Sequence, residues 1–99
     1  MELNEHQFEL LRNMLKLIED FREGKIHYFK LVYGLQGILD AGNYESKYLV
    51  NQWHDLWSPL EELAAIKGNL TVLDDVDIFL TKLEIFLKER VIQTRCRFK

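Results

Sequence analysis

Residues 25–42 read KIHYFKLVYGLQGILDAG, and the fold turns on whether they form a strand or a helix. The β-branched and aromatic side chains of Ile26, Tyr28, Phe29, Val32 and Tyr33 suit a pleated surface. A strand, however, needs a neighbour to satisfy its backbone, and no partner run stands elsewhere in the chain. Read as a helix, the segment sets Phe29, Val32, Leu35 and Leu39 in one core row. Gly34, Gly37 and Ala41 then fall on one side, where a neighbouring helix could come close, at about 1 kcal/mol per glycine relative to alanine. The Gly-x-x-Gly spacing is too short a signal for a phosphate loop, and helix packing accounts for it. Gly42-Asn43 ends the segment.

Outward from this segment the chain keeps a helical period. On the N-terminal side, Phe8, Leu11, Leu15 and Ile18 make one row, and Leu3, Leu10, Met14, Leu17 and Phe21 a second beside it. A stripe that wide needs two covering neighbours, as in a bundle. Asn4 with Gln7 predicts a capping box and Gly24 a stop, so the first helix should run from about residue 4 to 22. On the C-terminal side, residues 51–66 read NQWHDLWSPLEELAAI. At 100° per residue Leu49, Trp53, Leu56, Trp57, Leu60 and Ala64 share a side, which sends both tryptophans to the core. Pro59 removes a backbone donor and crowds the carbonyl of Asp55. With Ser58 and Glu61 as a cap pair, either one kinked helix or two abutting helices result. A last helix begins near Asp74, with Asp75 and Asp77 at the positive end of its dipole. Its buried side would be Val76, Phe79, Leu80, Leu83, Phe86 and Leu87.

The expected fold is therefore all-α: a single domain over residues 1–99, a bundle of four to five helices with a loosely ordered tail from 93 to 99. Ninety-nine residues, nearly half apolar and with one proline, are enough to bury a core without metal or disulfide. The N-terminus has no charged-then-apolar leader, and no apolar run approaches the roughly 20 residues of a membrane span. Cys96 has no second cysteine to pair with. These features predict a soluble cytoplasmic protein without membrane contact.

Charge is unevenly placed. Residues 1–39 hold six acids and five bases, residues 40–81 eight and two, and residues 82–99 two and six. A middle block this acidic is most simply a solvated face, but it also suits a basic partner. The net charge of −3 argues against direct nucleic-acid binding.

A search for catalytic chemistry yields little. His6, His27 and His54 are scattered, there is no His-x-x-x-His, and no nucleophile motif is legible. Asp74, Asp75 and Asp77 lack the glycine and closing glutamate of a calcium loop. The Glu-x-x-His pairs of two-metal carboxylate bundles are missing as well. No cofactor, metal or enzymatic activity is expected. The unusual feature is the side of the third segment opposite the tryptophans, where projection places Tyr44, Tyr48, Asn51, Asp55 and Glu62. Tyrosines beside carboxylates resemble an interface, because tyrosine brings contact area at small entropic cost. Together with Asp74, Asp75 and Asp77, these residues form the predicted binding set.

The runs LIEDFREGKIHYFKLVYGLQGILDA, WHDLWSPLEELAAI and VLDDVDIFLTKLEIFL, spanning about residues 15 to 90, resemble a group of small helical bacterial proteins. The group includes immunity proteins of contact-dependent growth inhibition systems. Its members carry a first helix ending in F-x-x-G-K-I, a second of L-x-x-L-x-G-L-L character, a tryptophan-rich third closing in L-E-E-x-x-A, and a charged fourth. Ser58-Pro59 departs from that pattern. The resemblance implies a helical fold and a one-to-one complex with a toxin domain delivered by a neighbouring cell; it assigns no contact residues. A toxin that cuts RNA or DNA has a basic cleft, which fits the acidic middle block. The second expectation is a helical adaptor that self-associates through its glycine-containing helix.

Overall fold

The computed structural model describes residues 4–95. Four α-helices follow one another: α1 (Glu5–Arg22), α2 (Tyr28–Ala41), α3 (Lys47–Lys67) and α4 (Leu73–Arg95), with a 3₁₀ turn (Gly68–Leu70) between the last two. No strand occurs among the described residues, and within residues 25–42 the stretch Tyr28–Ala41 is helix. Short connections force consecutive helices antiparallel. Helix α1 packs on α2 and α4, and α3 packs on the same two, closing a four-membered ring.

Local chemistry sets most helix ends. The Asn4 side chain accepts from Gln7 N–H at 2.7 Å while Gln7 Oε1 accepts from Asn4 N–H at 3.1 Å, a complete capping box. Gln7 then donates from Nε2 to the Gly42 carbonyl at 2.7 Å, tying the start of α1 to the end of α2. Gly24, at φ 76°, lets the chain leave α1 as Lys25 N–H reaches back to the Asp20 carbonyl at 2.8 Å. At the end of α2 the positive φ falls on Asn43 (47°) rather than on Gly42. Asparagine tolerates that region better than other side chains. Leu3, one of the expected first-helix residues, lies outside the described residues. The expected loose segment from 93 is helical as far as Arg95, and 96–99 lie outside the described residues.

The core is a continuous cluster from all four helices, centred on Met14, Ile18, Leu31, Leu35, Trp53, Leu60, Leu80 and Leu83. Both tryptophans are buried, stacked at 5.5 Å between centroids with 18° between planes. Two side-chain bonds lock α2 to α3 in opposite directions: Tyr28 Oη donates to the Leu60 carbonyl at 2.6 Å, and Trp57 Nε1 to the Val32 carbonyl at 3.0 Å. Each pairs a polar tip inside an apolar body that would otherwise bury it unsatisfied.

One residue of the expected core row changes, and the details around it are local. Phe29 is exposed, and the inward row of α2 is Tyr28, Leu31, Val32, Leu35 and Leu39. The helix begins at Tyr28, and the first-turn position of Phe29 turns away from the ring's interior to lie over Gly68. A Cβ added at Gly34 would stand 2.7 Å from a Leu17 methyl, so this glycine does admit close approach of α1. Gly37 meets nothing. Around Pro59, α3 is one continuous helix, and Ser58 does not cap a new one. Its hydroxyl instead donates back to the His54 carbonyl at 2.8 Å. Among the described residues no helix is long and apolar enough to cross a membrane.

Candidate functional site

Eight residues form the predicted binding set, and the structure separates them. Tyr48, Asn51, Asp55 and Glu62 project from the outer side of α3, all exposed. Tyr48 is 72% exposed and its hydroxyl accepts from Gln52 Nε2 at 3.1 Å, one turn on, which orients the phenol along the helix. Asp55 and Glu62 make no ion pair with a described residue. Tyr48, Asp55 and Glu62 recur at seven-residue intervals, two helical turns, and so lie nearly in line. Ile66, which sequence reading left out, extends that line and is 77% exposed. The whole row runs about 27 Å, with an aromatic and an aliphatic anchor at its ends and two carboxylates between. A four-residue step past Glu62, one helical turn on, was the signal that would have found Ile66.

Tyr44 does not belong to this face. It precedes α3, so the helical projection does not apply to it. Its ring lies against Gly42, over the position a Cβ there would take. Its hydroxyl is buried without an acceptor among the described residues, and burial pushes the phenol's pKa up to about 12.

Two of the three aspartates of α4 are engaged within the chain. The Asp75 carboxylate accepts from Val72 N–H at 3.1 Å, just ahead of the helix, and pairs with Lys67 at 3.2 Å. The backbone bond, then Lys67, hold its carboxyl below the usual range. Asp77 binds Arg22 of α1 at 2.6 Å, and the same guanidinium reaches Glu84 at 2.7 Å and Thr81 at 3.3 Å. Arg22 is therefore a clamp across the α1–α4 seam. Asp75 and Asp77 serve the fold, which leaves only Asp74 of the three exposed and without an ion pair among the described residues. It stands at the far end of α3 from Tyr48.

The next candidate the sequence offers is α2 with Tyr28 and Tyr33, of which Tyr28 is buried. Phe29 and Tyr33 of α2 are both exposed, with ring centroids 5.9 Å apart. Asn69, from the turn before α4, accepts from Phe29 N–H at 3.0 Å and so caps α2 from a distant part of the chain. Among the described residues no three His, Cys, Asp or Glu side chains gather in a way that could hold a metal ion. Comparison with protein-family models, with curated proteins and with solved structures finds no match for this chain.

Proposed function

We propose that this chain is an immunity protein that binds and neutralises a cognate toxin domain in the cytoplasm, forming a one-to-one complex without catalysis, cofactor or metal. The observation that carries the reading is the outer row of α3, where Tyr48 and Ile66 are largely exposed on either side of Asp55 and Glu62. A nuclease must hold phosphates, so its cleft is basic, and unpaired carboxylates on a rigid helix meet that charge at no cost to internal pairing. Long-range attraction then accelerates encounter, and Tyr48 provides a large, low-entropy contact once the surfaces meet. The family resemblance of residues 15 to 90 points the same way. Gly34, one of the residues through which self-association of α2 was expected, already packs against α1.

The test is co-purification with the product of the adjacent open reading frame, followed by affinity measurements on Asp55→Lys and Glu62→Lys. Each reversal should raise Kd at least tenfold, equivalent to about 1.4 kcal/mol, and make binding less salt-dependent. Lys16→Glu, on α1 across the ring, should bind normally. If both reversals bind and protect cells like the unmodified protein, the α3 face is not the interface, and the Phe29–Tyr33 surface is the next to test.

A further inference from the structure

Helix α4 carries a row of large aliphatic side chains on its solvent side. Ile78, Ile85 and Ile92 are 62%, 53% and 63% exposed, while Val76, Leu80, Leu83 and Leu87 of the same helix are fully buried. Seven-residue spacing keeps the three isoleucines within about 40° of one another around the helix. Isolated exposed aliphatics need no explanation, but a heptad row of one β-branched residue is the pattern of a helix seam.

The residues beside the row identify the occupant. Lys82 and Glu89 flank the isoleucines on one side, and Thr81 and Lys88 on the other. Ile78 lies as far before Ile85 as Ile92 lies after it. Lys82 lies three residues before Ile85 and Glu89 four after it. Two copies of α4 crossing antiparallel at Ile85 would thus set Ile78 against the partner's Ile92 and Lys82 against the partner's Glu89, with both contacts repeated by symmetry. Thr81 would meet the partner's Lys88. The parallel arrangement turns this flank toward the partner's other flank, so that Lys82 loses its pair with Glu89 and Glu89 meets the partner's Lys88, and it also aligns the helix dipoles, which disfavours it. Neither flanking charge is strongly engaged among the described residues: Lys82 forms no ion pair with them, and Glu89 pairs there with its neighbour Arg90 at 3.7 Å.

We infer that the outer face of α4 docks against the same face of a second copy of this chain, antiparallel about a two-fold axis at Ile85. Such a surface is self-complementary, as a two-fold interface must be. It is independent of the outer row of α3, so it goes beyond the proposed toxin binding and stands or falls separately. A seam about 21 Å long and one helix wide lies at the small end of specific interfaces, so the dimer should be a weak one.

The experiment is sedimentation equilibrium of the full chain without any toxin, over a concentration series from about 1 μM to 1 mM, a range that covers weak association. A monomer–dimer equilibrium is expected, and Ile85→Lys should raise Kd at least tenfold, because it puts two cations together on the axis. Circular dichroism checks that this exposed substitution leaves the fold intact. Lys82→Glu and Glu89→Lys should each weaken the dimer, and the double reversal should restore it, which reports the antiparallel register. A chain that stays monomeric throughout, or a dimer unaffected by Ile85→Lys, overturns the inference, whatever other protein the row then proves to take. A dimer lost in Ile85→Lys but not restored by the double reversal overturns the register.

Discussion

The two sides of α3 and the seam between α1 and α4 use similar residues for opposite ends. On the inner side of α3, aromatic area is fully covered and its one bonded indole is matched to a carbonyl of α2. On the outer side, Asp55 and Glu62 make no ion pair with a described residue. At the α1–α4 seam, by contrast, Asp77 and Glu84 converge on Arg22. Carboxylates on neighbouring helices are thus of two kinds, those whose charge is used in folding and those left for something outside. Position relative to a basic side chain of the next helix makes the difference, since a carboxylate has no intrinsic preference between the two roles.

Substitution can break or sharpen this contrast. The largest effect belongs to the inner side: Trp57→Ala and Trp53→Ala should each cost about 3–5 kcal/mol in urea denaturation, enough to unfold much of a domain this size. Equal stability of either variant and the unmodified chain would mean that the stacked pair is not core. Arg22→Ala comes next. It leaves Asp77 and Glu84, both on α4, without the α1 guanidinium they share, and should cost about 1–2 kcal/mol, with Arg22→Lys recovering only part because it lacks the forked donor.

Tyr44→Phe should act in the other direction, raising stability by up to about 1 kcal/mol, because it removes a buried hydroxyl that has no acceptor among the described residues. The pH dependence gives a second readout. The phenol ionises near pH 10 in the unfolded chain but near 12 when folded, so the stability tied to its neutral form is complete below about pH 10 and is lost as pH rises from there toward 12. Tyr44→Phe should therefore shift alkaline unfolding, followed by circular dichroism, to higher pH, although Tyr28, raised by burial as well, will keep part of the effect.

Smaller still, Gly37→Ala should stabilise by about 0.5–1 kcal/mol, since its Cβ enters open space in mid-helix. Smallest of all should be Asp55→Lys and Glu62→Lys, within about 0.5 kcal/mol of the unmodified chain in the same denaturation assay. A larger loss would show that the outer row is structural after all and remove the contrast from which its binding role is argued.

Much of this architecture was legible in residue order alone, because it depends on interactions a few residues apart. The 3.6-residue period placed Ile18, Trp53, Trp57, Leu60 and Leu83 in the core. The Asn4–Gln7 box and the Gly24 stop are contacts within one turn. An all-helical bundle, and the burial of both tryptophans, follow from those rules, while the choice between four and five helices does not. What residue order could not decide is where a side chain's partner comes from when it lies far away along the chain. The cap of α2 is Asn69, forty residues on, whereas the adjacent His27 makes no cap bond. Asp77 meets Arg22 across fifty-five positions, a partner that no local pattern contains. Tyr44 folds back onto Gly42 because a turn, and not a helix, sets its direction. Local periodicity determines which way a helical residue faces, while only the packed ring of helices decides whether what it faces is water, core or an opposite charge.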